Sequence, residues 1–220
     1  MSHSTATAVR RRPPRRRPVS ARRRQEAVRR RRGVLFLGAV VLTVIAVVLV
    51  VPVARKAISE FGLPLQYQDV IRQQAAEKHL DPALIAAVIY AETKFDPRPS
   101  SAGAEGLMQL MPRTALFLAR RSGATAFTTR DLGTPDVNIA YGSYYLRYLL
   151  NEYHGSTVLA LAAYNGGEAN VDRWVARVRA TGARFRIADI PFPETQAYVQ
   201  RVLQARGEYR HTYPTELGLR

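Results

Sequence analysis

Residues 33 to 53, GVLFLGAVVLTVIAVVLVVPV, run for 21 positions without a charge and divide the chain into parts that cannot share one core. As a helix rising about 1.5 Å per residue the run is roughly 32 Å long, enough to cross a bilayer core of about 30 Å. A cleaved signal peptide has an apolar core of only about 7 to 15 residues, and here Pro52 or a basic residue falls where a small residue should precede cleavage. The run therefore reads as a retained signal anchor. Before it, residues 1–32 contain thirteen arginines and one acid, Glu26, and hold most of the chain's net charge of +16. Only Arg55 and Lys56 follow it closely, so the positive-inside rule places the N-terminus in the cytoplasm and the remainder outside. The arm is broken by prolines and has no interleaved aromatics, which suits anionic lipid headgroups better than nucleic acid. With no cysteine in the chain, a disulfide framework, a thiol nucleophile and a thiolate zinc site are excluded.

From residue 66 onward, segments of helical length and spacing follow one another: YQDVIRQQAAEKHL, DPALIAAVIYAET, GLMQLMPRTALFLARRSG, VNIAYGSYYLRYLLNEYHG, STVLALAAYNGG, EANVDRWVARVRATG and PETQAYVQRVLQARGEYRH. No period-two strand pattern competes. Asp81-Pro82 is an N-cap followed by a first-turn proline, and Gly123, Gly155 and Gly182 mark helix ends. The expected organisation is a disordered basic arm (1–32), a transmembrane anchor (33–53), a juxtamembrane connector (54–63), an all-α domain (64–213) and a ragged tail (214–220).

In the helix opening at Asp81, Leu84, Ile85, Val88 and Ile89 form an apolar stripe, and Glu92 continues it at i+4 from Val88. A carboxyl facing a core has its pKa raised, because desolvation penalises the charged form. That is the protonation state a general acid requires at neutral pH. Periodicity alone leaves a second reading open, in which Glu92 turns to solvent or caps a neighbouring loop.

The blocks ETKFDP, SSAGAEGLMQLMPRTA, DVNIAYGSYYLRYLL, ALAAYNGG and PFPETQAYV occur in this order over residues 66 to 210. As a set they resemble the lytic transglycosylase family typified by the soluble lytic transglycosylase (SLT) domain, with its goose-type lysozyme-like helical fold. The resemblance implies non-hydrolytic cleavage of the β-1,4 bond between N-acetylmuramic acid and N-acetylglucosamine in peptidoglycan, leaving a 1,6-anhydromuramic end. It puts the catalytic carboxyl at Glu92, acting first as acid and then as base. Ordinary glycosidases need two carboxyls; in this family the substrate's own N-acetyl group takes the second role. No cofactor and no metal are implied.

The resemblance also implies supporting residues. Its serine falls on Ser100 or Ser101, because the eleven-residue interval from Glu92 to Gly103 is one shorter than the family pattern. Thr93 replaces the usual serine after the glutamate and keeps the hydroxyl. Gly103 and Gly106 would bring backbone close to the sugar, while Met108 and Gln109 would line the cleft, with Leu110 and Met111 in the core. The Tyr164 hydroxyl would lie near the glutamate and orient it or stabilise developing charge, and Asn165 beside it would bind substrate. Glu194 and Tyr198 would lie at the cleft edge, Thr195 would cap a helix, and Asn138 and Gly142 would serve the scaffold. Two other functions fit parts of the sequence: a muramidase that uses water as acceptor, and a non-catalytic peptidoglycan-binding scaffold of the cell envelope.

Overall fold

The computed structural model describes residues 63–97 and 100–219, and before them only Val44, Ile45 and Val48. The chain divides into two compact units, Met1–Arg55 and Lys56–Arg220. The expected basic arm and membrane anchor therefore lie outside the described residues, save for those three helical, exposed positions. Among the described residues no helix is long and apolar enough to cross a membrane.

The second unit is built from α1 (Gln68–Lys78), α2 (Pro82–Thr93), α3 (Pro112–Ser122), α4 (Pro135–Glu152), α5 (Thr157–Gly166), α6 (Glu168–Arg179) and α7 (Pro193–Thr212), with 3-10 turns at Thr129–Gly133 and Ile187–Asp189. No strand occurs among the described residues, only an isolated bridge between Glu105 and Leu110. Helices α2, α3, α4 and α7 each open on a proline, whose missing N–H costs nothing in the first turn. Gly123 ends α3 in the left-handed region, as the sequence suggested.

Helix α2 is the centre of the unit. All seven residues from Ala83 to Ile89 are buried, so the helix is apolar all round, not along one stripe, as a helix surrounded by others must be. Its most extensive partner is α7, and α1 packs beside it. Asp81 fixes its amino end. One carboxylate oxygen accepts from the Ala83 N–H at 3.0 Å, and the other from Arg206 Nε at 2.6 Å and Arg210 Nη1 at 2.8 Å, both on α7.

The far end of α7 closes the unit onto its beginning: the Tyr209 hydroxyl donates to the Pro64 carbonyl at 2.5 Å and the Tyr213 hydroxyl to that of Leu63 at 2.9 Å. The segment after α7, expected as a ragged tail, packs here too. Leu217 is 1% exposed and Arg72 of α1 donates to the Glu216 carbonyl, so an apolar anchor holds residues whose composition alone suggested a loose end.

Candidate active site

Glu92 occupies the last turn of α2, half-buried, where the apolar helix meets the surface. Desolvation pushes its carboxyl up to about 7, against the smaller acidifying pull of the Tyr198 hydroxyl and the Arg201 guanidinium. No second carboxylate is among the groups acting on it. The Tyr198 hydroxyl is buried beside the carboxyl and completes no hydrogen bond of ordinary geometry with any described group. Burial first, and then the charge of Glu92, hold both Tyr198 and Tyr164 well above the usual phenol range. Glu92 therefore acts on two phenols that stay neutral. Tyr198 lies inside, 1% exposed, not at the cleft edge where the sequence reading put it.

The loop after α2 supplies the adjoining wall. The Thr93 hydroxyl donates to the Leu107 carbonyl at 2.8 Å, tying the end of α2 to this loop. The amide of Asn138, buried in α4, organises it further: Oδ1 accepts from the Met108 N–H at 2.8 Å, and Nδ2 donates to the carbonyls of Glu105 at 2.9 Å and Leu132 at 3.0 Å. Only glycine fits at 106, since φ is +73° and a Cβ would stand 2.1 Å from Asn138 Nδ2. At Gly142 a Cβ would stand 2.3 Å from Met108 Sδ. These contacts give Asn138 and Gly142 the scaffold roles expected of them.

The two methionines exchange their expected places. Met108 is fully buried against Gly142, while Met111 is 41% exposed. Between them Gln109 takes a left-handed φ of 48° and turns the chain, so the residue facing the cleft falls later than the motif suggested. Met108 acts through its backbone, with its carbonyl accepting from the Tyr164 hydroxyl at 2.9 Å. Gln109 Nε2 donates to the Gly106 carbonyl at 2.8 Å. Ser100 Oγ accepts from the Ala104 N–H at 2.9 Å and so closes its own loop. Ser101 is exposed.

Tyr164 and Asn165 end α5, and Asn165 Oδ1 accepts from the buried Thr195 hydroxyl at 2.8 Å. Thr195 thus positions Asn165 and does not cap α7, whose N-cap is Phe192. Glu194, next to it, is exposed in the first turn of α7. Gln109, Met111, Thr114, Tyr145, Tyr164 and Asn165 share a pocket of about 280 Å³. Of the groups around Glu92, the sequence reading missed Arg201. Its signal was its place three residues after Tyr198 on one helix, which aligns the two side chains.

Residues 69–186 match the family described as Transglycosylase SLT domain. The soluble lytic murein transglycosylase of Escherichia coli K12 is 31% identical over 156 residues, covering 69% of this chain and 24% of that protein. The membrane-bound lytic murein transglycosylase C of Actinobacillus pleuropneumoniae serotype 5b is 33% identical over 168 residues, covering 66% and 46%. Among solved structures, an inactive mutant of the lytic transglycosylase Slt from Pseudomonas aeruginosa superposes with a TM-score of 0.64 at 34% identity, covering 70% of this chain and 25% of that one. A 70-kDa soluble lytic transglycosylase in complex with bulgecin A gives 0.66 at 28% identity, covering 73% and 26%. The chain spans about a quarter of the length of the soluble relatives and less than half of the membrane-bound one.

Proposed function

The chain belongs to the transglycosylase SLT domain family, and from that premise we propose that it is a peptidoglycan lytic transglycosylase with Glu92 as its single acid and base. The observation that carries this reading is a half-buried carboxyl raised to about 7, with no second carboxylate acting on it. Protonated Glu92 gives its proton to the glycosidic oxygen as the bond from C1 of N-acetylmuramic acid breaks. The substrate's acetamido oxygen supports the positive charge at C1. Ionised Glu92 then takes the proton of the muramic C6 hydroxyl as that oxygen bonds to C1, closing the 1,6-anhydro ring and restoring the carboxyl.

Tyr198 assists the second state. Its hydroxyl, buried beside the carboxyl, steadies the carboxylate when the first proton leaves, and Arg201 favours the same charge. Tyr164 keeps its proton on the Met108 carbonyl and fixes the loop opposite. Gln109, Asn165, Glu194 and backbone near Gly106 contact the sugars, with Met111 supplying the apolar contact that the motif suggested for Met108. Ser100 shapes the loop while Ser101, exposed, faces the substrate.

The uncharged run of residues 33 to 53 and the arginine arm before it support a membrane tether with the N-terminus inside and the catalytic unit against the wall. Protease added outside intact cells should then remove the catalytic unit and spare the arm. For the chemistry, mass spectrometry of the fragments released from purified peptidoglycan decides. Anhydromuramic ends from the native chain, and none from Glu92→Gln, are expected. Reducing ends in their place would make the protein a hydrolase; binding without release would make it a scaffold.

A further inference from the structure

Glu168 opens α6 and turns its carboxylate back onto α4. Its oxygens accept from the hydroxyls of Tyr148 at 3.0 Å and Tyr145 at 3.4 Å. One turn further along α6, Asp172 accepts at 3.0 Å from the hydroxyl of Tyr153, the C-cap of α4. Two carboxylates on one face of α6 thus meet three phenols of a neighbouring helix. Both helices pack on α5 and hardly on each other, so these hydrogen bonds are what ties α6 to α4. Burial first, and then Glu168, raise the Tyr145 phenol above its usual range and push that of Tyr148 up to about 12, so both keep the proton they donate.

The latch holds one wall of the cleft. Glu168 follows Tyr164 and Asn165 after only Gly166 and Gly167, and Gly167, at a φ of +84°, is the single residue between α5 and α6. The Tyr145 and Tyr148 rings lie 12° from parallel with centroids 6.2 Å apart, and Tyr145 leans on the Tyr164 ring at 5.2 Å. Tyr145 also lines the pocket that holds Gln109, Tyr164 and Asn165. Thr195 fixes Asn165 from the side of α7, and Glu168 fixes the Tyr145 ring from the side of α6. Glu168 is not a second acid of the reaction, since it is not among the groups acting on Glu92. Apolar side chains would join two helices without desolvating a carboxylate; a hydrogen-bonded carboxylate adds a set direction for each ring.

We propose that Glu168 is a positioning residue for the reaction, acting through Tyr145 to hold this wall in the form that accepts a glycan strand. The inference rests on the transglycosylase reading for the identity of the strand. Because the reacting carboxyl lies elsewhere, a loosened wall weakens binding and leaves the chemical step alone.

Steady-state kinetics of the full chain on soluble peptidoglycan oligomers test this, with urea midpoints measured alongside. Glu168→Ala frees both phenols and should raise KM about tenfold while kcat changes less than about twofold. Glu168→Gln keeps one acceptor oxygen and should limit the rise to about threefold. Tyr145→Phe should reproduce the KM of Glu168→Ala, and combining the two should raise it little further, because they remove one shared interaction. Should Glu168→Ala not fold, Glu168→Gln and Tyr145→Phe carry the same test. An unchanged KM, whatever the urea midpoint does, makes the latch purely structural and overturns the proposal. A fall in kcat at constant KM overturns it as well, since Glu168 would then act on the chemical step, and so do independent, multiplying effects of Glu168→Ala and Tyr145→Phe. Reducing-end products that keep the expected KM pattern would sink the transglycosylase reading alone and leave Glu168 its role.

Discussion

Helix α2 carries an acid at each end, and the fold treats the two in opposite ways. Asp81, at the amino end, accepts from a backbone N–H and from two arginines of α7. Glu92, at the carboxyl end, has only the Tyr198 hydroxyl and the Arg201 guanidinium to favour its charge, and burial outweighs both. One end locks the two central helices together. The other holds a proton at a cost in stability, which is what a catalytic acid needs.

The largest expected effect breaks the functional end. Glu92→Gln keeps the shape and removes the titratable proton, so the rate of anhydromuramic product formation should fall about a thousandfold, read by quantitative mass spectrometry. Next comes the structural end. Asp81→Ala removes the N-cap and leaves Arg206 and Arg210 without their partner, and should cost about 3 kcal/mol in urea unfolding. The molecules that remain folded should keep their catalytic rate. If that rate fell as steeply as in Glu92→Gln, the two ends would not be separable.

The same contrast fixes the sign of a third effect. Because the folded-state pKa of Glu92 is raised, from 4.5 to about 7, the folded state favours the proton. Below about pH 4 the acid is protonated in both folded and unfolded states and there is no penalty. The penalty grows as pH rises from the unfolded to the folded value and is complete above about 8. Glu92→Gln should therefore be more stable than the native chain by roughly 3 kcal/mol at pH 8, with the gap closing near pH 4. Urea midpoints at the two pH values would show it; a constant gap would contradict the raised pKa. The smallest effect concerns Asn165, since Thr195→Val removes the hydroxyl that holds it. A loss of about threefold in kcat/KM on glycan, with fold stability lowered by about 1 kcal/mol, is expected.

The sequence showed much of this division and missed its finer parts for identifiable reasons. Asp81-Pro82 announced a helix start because capping is local, and Glu92 faced inward because i+4 spacing is local too. Asn138 and Gly142 were legible as scaffold, although the atoms they serve, at Glu105 and Met108, lie some thirty residues away. Met108 and Met111 were interchanged because the facing of a loop residue depends on the left-handed turn at Gln109, and no periodicity encodes it. Thr195 is expected as a helix cap, yet its partner is Asn165 on another helix. Tyr198 and Arg201 reach Glu92 only through the packing of α7 on α2. Pairing between helices distant in sequence is what the local patterns omit.

The most direct test of the account is the protonation of Glu92 itself, followed by carbon NMR of glutamate labelled at the side-chain carboxyl, with Glu92→Gln used to assign the signal. A midpoint near 7 is the predicted result. A midpoint near the ordinary 4.5 would mean that Glu92 is already ionised at neutral pH, and it could not be the acid that breaks the glycosidic bond.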